Sequence, residues 1–170
     1  MAIIVLTVLG LATPSWSSDR EAGRTASALA AVDDALGRGD VAAAVRGWHD
    51  AIRAARAERR SDGLIAVGDA SLRIGAVPRI HDLPEAGARS LYVQALFQAR
   101  QQGSLRGVAQ VAQRFAWLGD MEVVALSLRM IDSLAPRVAG DSETLAAIEI
   151  LRVRSELRLT QAPGALDARP

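Results

Sequence analysis

The chain contains no cysteine, which excludes disulfides, thiolate catalysis and cysteine-ligated zinc or iron–sulfur clusters, and leaves the redox compartment open. Lysine and asparagine are absent too, so all twenty basic residues are arginine. That bias is read as the codon usage of a GC-rich genome rather than selection for bidentate anion recognition. Aromatic residues make up only 4% of the chain and there are two histidines. Twenty arginines against nineteen acids leave a net charge of +1, so no strongly charged partner is advertised. No segment sustains strict apolar–polar alternation, so no sheet is expected. What is abundant is alanine, roughly a fifth of the residues, which favours helix. A length of 170 residues fits one modest domain, or a domain with a processed leader.

The leader reading comes from the amino end. No side chain from Met1 to Ser18 is charged, and Ala2 to Ala12 is an apolar run closed by Thr13-Pro14. A membrane-spanning helix needs about 20 apolar residues, so the run is too short to span, whereas a secretory signal peptide needs about 7 to 15. Ser15 and Ser17 supply small residues where a signal peptidase reads, although no basic residue precedes the run. The expectation is a signal peptide over 1–17, a helical domain over 18–159 and a flexible tail over 160–170, in a periplasmic or secreted protein. A buried first helix and an uncleaved membrane anchor on the periplasmic side are the alternatives.

Beyond the leader the hydrophobic pattern is helical and is punctuated by Gly and Pro. Val41, Ala44, Val45, Trp48, Ala51, Ile52 and Ala55 recur at helical steps after Asp40, a natural N-cap, while Gly37 and Gly39 suit the end of a helix over about Thr25 to Leu36. A third helix, capped by Ser61 or Asp62, should reach Ile74, and Pro78 to Leu83 should be irregular. A fourth is expected from Pro84 to about Gln102, a fifth after Ser104, a sixth from Gly119-Asp120 to just before Pro136, and a last from Asp141 or Ser142 to about Leu159. The sixth carries one stripe of Met121, Val124, Leu128, Ile131 and Leu134 and another of Val123, Leu126 and Met130, which should place it between two layers. The fold class is therefore all-α, about seven antiparallel helices.

Gly-Asp stands at two helix-to-helix turns, Gly39-Asp40 and Gly119-Asp120. From Leu105 to Val138 the pattern resembles a tetratricopeptide repeat: Ala112 at the small first-helix position, Phe115 at the large one, Gly119-Asp120 at the turn, then Leu128, Ile131, Leu134 and the closing Pro136. It departs at Val124 and Ile131, where that family prefers Ala. Ala44, Trp48 and Ala51 repeat the small-large-small ridge after Gly39-Asp40, and Val67, Gly68 and Ser71 begin an intervening, irregular unit. The resemblance implies stacked antiparallel helical hairpins in a right-handed α-solenoid, closed by a final helix from Ser142 acting as a solvating cap. An irregular helical bundle without superhelical stacking is the alternative.

Catalytic signatures are sparse. His49 and His81 are each followed by Asp, but a metal centre usually needs three or four converging protein ligands; His49 is expected at a partly exposed surface position and His81 in a loop. No serine has a nucleophile-elbow setting, a Ser-x-x-Lys pair is impossible without lysine, and Asp33-Asp34, adjacent in sequence, point about 100° apart on a helix. Arg46, Arg53, Arg56, Arg59 and Arg60 outnumber Asp50 and Glu58, a pattern read as a solvated helix face rather than a nucleic-acid surface. No catalysis, metal or cofactor is expected.

In the resembled family the first helix of each unit lines a concave groove, which points to Arg106, Gln113 and Trp117, and in the preceding unit to Asp69 and Arg73. Trp and Arg are frequent interface anchors, although packing against a neighbouring helix is the commoner use of a residue such as Trp117. The functional expectation is a non-catalytic, exported interaction or assembly module that takes a protein or peptide partner in a helical groove, with no nucleic acid. The alternatives are an accessory subunit tethered to a membrane through its apolar leader, and a minor metal-dependent hydrolase using His49 and His81.

Overall fold

Helix ends dominate the architecture because Ser, Asp and Gly sit where backbone groups would otherwise go unpaired. The structure, a computed structural model, describes residues 16–77, 84–137 and 141–160. Among them it contains seven helices and no strand: α1 (Trp16–Gly37), α2 (Val41–Glu58), α3 (Ser61–Gly75), α4 (Pro84–Gln101), α5 (Leu105–Leu118), α6 (Met121–Leu134) and α7 (Ser142–Thr160), with a 3₁₀ turn, Ala135–Arg137, extending α6. The whole of the apolar run, the Pro78-to-Leu83 stretch expected to be irregular and the tail beyond Thr160 lie outside the described residues.

Asp40 caps α2 by accepting from the Ala43 N–H at 2.9 Å, and Ser104 caps α5 by accepting from that of Gly107 at 3.0 Å. The turn glycines Gly39 and Gly119 have φ of 72° and 83°, a left-handed conformation that a Cβ would strain. Two expectations change. α1 starts at Trp16 rather than near Thr25, because nothing after Pro14 except Gly23 opposes helix; the expected leader boundary therefore falls in its first turn. Neither Ser61 nor Asp62 caps α3: Arg60 holds the cap position without a side-chain bond, and Ser61 is buried as the first helical residue. A sixth helix starting at Gly119-Asp120 is found, with Asp120 at its N-cap position, though without a side-chain cap bond, since its carboxylate accepts from Arg89 Nε at 2.8 Å.

The helices pack as hairpins. α1 lies against α2, α3 against α4 and α5 against α6; in addition α1 touches α3, α3 touches α5 and α5 touches α7, so the odd-numbered helices form a continuous inner series. Nearest-neighbour stacking of this kind defines a run of helical hairpins. One core, running from Ala51 on α2 to Leu151 on α7, includes Tyr92, Leu96, Val108, Phe115, Val124 and Ile131; a smaller one joins Val32 and Ala35 to Ala44, Ala70 and Ile74. Trp48 is half-buried across α2 and α3, its indole Nε1–H donating to the Val67 carbonyl at 3.0 Å.

α6 touches both α5 and α7, yet only part of its second stripe is covered: Met130 is buried while Leu126 stays exposed. The expected solvating role of α7 also needs correction. Thr144, Ile148 and Leu151 are buried, but Leu145, Ile150 and Val153 are exposed beside Glu149, Arg152, Arg154 and Glu156, so its outer surface is mixed rather than wholly polar.

Candidate functional site: a cleft across the inner helices

α3, α5 and α7 enclose an open cleft of about 650 Å³. Helical spacing sets its walls: Asp69, Leu72, Arg73 and Ala76 project from one side of α3, Gln113, Arg114 and Trp117 from α5, and Ile150, Leu151 and Arg154 from α7. Four of the residues expected from the sequence, Asp69, Arg73, Gln113 and Trp117, thus come together in one concavity.

Trp117 is 75% exposed, the most exposed of the large apolar side chains among the described residues. This overturns the expectation that packing against a neighbouring helix would be its main use. It stands on the face of α5 turned to the open cleft, where it lines the space between α3 and α7.

Asp69 is the structural centre of the cleft. Its Oδ1 accepts from the Tyr92 hydroxyl at 2.7 Å and from Arg114 Nε at 2.9 Å, and its Oδ2 accepts from Arg114 Nη2 at 2.8 Å. The guanidinium therefore meets the carboxylate as a two-point fork. Burial pushes the Asp69 carboxyl upward, but hydrogen bonds from Arg114 and Tyr92 together with the charge of Arg114 outweigh it, and the net shift is downward. Burial, then the hydrogen bond to Asp69, raises the Tyr92 phenol far above its ordinary range. Tyr92 fits there because Gly68 has no side chain: a Cβ at that position would lie 2.4 Å from the ring. Phe115 holds the other side of the ring, edge to face at 5.9 Å between centroids.

Arg73 leans across the inner series to α1, donating from Nε and Nη2 to Asp33 Oδ1 at 3.1 and 2.9 Å. Arg106 is placed elsewhere. It pairs with Asp141 at 2.6 Å and lines a separate depression of about 120 Å³, which shares only Gln113 with the cleft. Asp141 in turn accepts from the Thr144 N–H at 2.7 Å, so Arg106 secures the start of α7. Sequence reasoning missed Arg114, Tyr92, Ile150 and Arg154. Only Arg114 carried a usable signal, being the cation next to Gln113 on a helix already assigned to the groove.

His49 is exposed and its ring lies 5.0 Å from that of Trp48, while His81 is outside the described residues. Among the described residues no three His, Asp or Glu side chains converge as a metal site would require. Arg46, Arg53, Arg56, Arg59 and Arg60 are all exposed; Arg53 pairs with Asp50 and Arg60 with Asp62. No described helix is long and apolar enough to cross a membrane. The chain finds no significant match among protein-family models, curated proteins or solved structures.

Proposed function

We propose that this protein is a non-catalytic interaction module, built from tandem hairpins of the tetratricopeptide kind, that receives a peptide or protein segment in the cleft between α3, α5 and α7. The observation that carries this reading is Trp117, a large side chain left three-quarters exposed over a preformed cavity. Exposed tryptophan in a concave setting supplies an anchor with little ordering cost. Leu72 and Ile150 provide apolar neighbours, and the Asp69–Arg114 fork keeps two of the walls in fixed relation. A cavity of about 650 Å³ suits a few side chains of an extended segment.

The reading includes export. It rests on the uncharged apolar run from Ala2 to Ala12 and the small residues after it, and intact-mass measurement of the mature chain from its native host tests it: an uncut amino end refutes cleavage. For the cleft, selection of random peptides displayed on phage against the immobilised chain is expected to enrich binders whose affinity falls about tenfold or more with Trp117→Ala. A selection that enriches nothing, or binders indifferent to Trp117→Ala while the variant melts like the parent, refutes the proposal.

A further inference from the structure

α7 is the last described helix of the inner series, and among the described residues the side of it turned away from α5 and α6 stays uncovered. Its inward face, Thr144, Ile148 and Leu151, is buried. Roughly opposite, Ile150 is 56% and Val153 46% exposed, with Ala146 exposed beside them. These three step by four and then three residues, the spacing of a coiled-coil seam with Ile150 at an a-type position and Ala146 and Val153 at d-type positions. Glu149 precedes Ile150 and Arg154 follows Val153, so an acid and a base flank the apolar strip on its two sides. Both are exposed, and neither has an ion-pair or hydrogen-bond partner among the described residues. Arg152, further round the helix, is already engaged by Asp132.

We propose that this strip is a self-association surface, and that its occupant is α7 of a second copy of the chain, packed parallel about a two-fold axis that runs along the helix. The flanking charges select both partner and direction. In a parallel pair the flank preceding an a-type residue faces the flank following the next d-type residue, so Glu149 meets Arg154 of the partner copy, and symmetry repeats the pair. In an antiparallel pair each flank faces its own kind. Glu149 and Glu156 would then confront acids, and Arg154 an arginine. A lone helix of this length is marginal in water, but α7 is already ordered by packing against α5 and α6, so association does not carry the cost of folding it. Because Ile150 and Arg154 also form one wall of the cleft, pairing draws Ile150 into the seam, leaves Leu72 and Trp117 as apolar groups of the cleft, and brings Glu149 of the partner copy to its rim. The inference does not depend on whether the cleft takes a peptide.

Sedimentation or light scattering on the full chain is expected to show twice the single-chain mass of 18.0 kDa, in exchange with monomer. Glu149→Arg and Arg154→Glu each set like charges face to face twice and should weaken association by about tenfold or more. Mixing the two variants, or combining both changes in one chain, should restore it. Val153→Cys, in a chain without other cysteines, should cross-link to its own counterpart on oxidation, because d-type positions face each other across a parallel two-fold. All three positions are exposed, so helicity should match the parent, and melting should match it at concentrations where the parent is monomeric. Single-chain mass at every concentration, association indifferent to the charge reversals, or a dimer whose Val153→Cys form fails to cross-link would each overturn the proposal. Dimerisation that emerges only after deletion of residues 161–170 would overturn it too, by making the chain's own tail the native cover.

Discussion

Replacing Gly68 by alanine sets two effects of opposite sign against each other in one position. Gly68 lies in the interior of α3, where alanine is favoured over glycine by about 1 kcal/mol. The new Cβ would stand 2.4 Å from Tyr92 Cε1 and 2.9 Å from Cδ1, where carbon atoms normally rest about 3.5–4 Å apart. The ring must withdraw by about 1 Å, and it has no easy way out: it is fully buried, Phe115 closes one side, and its hydroxyl is held by Asp69. Overpacking costs about 1–3 kcal/mol, and stretching a hydrogen bond to a charged acceptor adds about 1.5 kcal/mol or more. After the helix gain, the net loss is about 2–4 kcal/mol, or about 5–15 °C in melting temperature for a chain of this size. Thermal unfolding followed by circular dichroism measures it. Tyr92 is the only tyrosine, so its absorbance titration is a second, local readout: the raised ionisation of the parent should fall toward the ordinary phenol range in the variant. In a Tyr92→Ala background the clash is gone and only the helix term remains, so Gly68→Ala should then stabilise by about 1 kcal/mol. A Gly68→Ala protein that melts at or above the parent temperature with Tyr92 intact refutes the reasoning.

Two further outcomes follow from the charged groups. Asp69→Asn keeps the shape of the side chain but leaves the part-buried Arg114 without its counter-charge; urea unfolding should show a loss of about 1–3 kcal/mol, at the lower end because both side chains retain some solvent contact. Asp141 has its pKa lowered to about 2 by the Thr144 N–H and then by Arg106; a depressed carboxyl stabilises above its unfolded pKa of about 3.9 and loses that contribution as pH falls from there to about 2. Protection of the amides in the first turn of α7, taken relative to their intrinsic exchange rates, should therefore fall over that interval in the parent, while Asp141→Ala, which cannot accept from the Thr144 N–H, should show low protection already at neutral pH.

The helices were legible because their ends are local chemistry. Asp40, Ser104, Gly39 and Gly119 act within a few residues of themselves, so their effects are written along the chain. The inner face was reached through the resemblance: with the groove-lining phase taken from the tetratricopeptide family, Asp69, Arg73, Gln113 and Trp117 are the residues that phase implies, and the structure brings these four to one cleft. Arg106 shares that phase, but its side chain is captured by Asp141, placed by the segment after α6, which no spacing within α5 reveals. The Asp69 cluster was illegible for a stronger reason. Its partners lie 23 and 45 residues away, and although Arg114 stands beside Gln113 on a helix assigned to the groove, nothing local pairs it with Asp69 rather than with another carboxylate. Exposure of Trp117 and of the outer face of α7 is equally non-local, since an apolar stripe records what a helix can bury and not whether a neighbour arrives to bury it.

The placement of the Asp69 cluster bears on how a stack of hairpins holds a cleft open at a fixed width. Each unit touches only its neighbours, and α3 meets α5 along a narrower contact than it makes with α4. Apolar contacts at such a seam are non-directional and tolerate sliding. The fork from Arg114 to Asp69 is directional, and the Tyr92 hydroxyl shares one of its oxygens, so a single carboxylate joins α3, its hairpin partner α4 and the next unit's α5. Both charged side chains keep some exposure, which limits their contribution to stability. Their larger effect is on geometry: any rotation of α5 about the seam must break two parallel hydrogen bonds at once, while the cleft walls on α3 and α5 are set by the same two helices. Trp117 lies one turn beyond Arg114 on α5, so the bond that fixes the seam also fixes where the exposed indole stands.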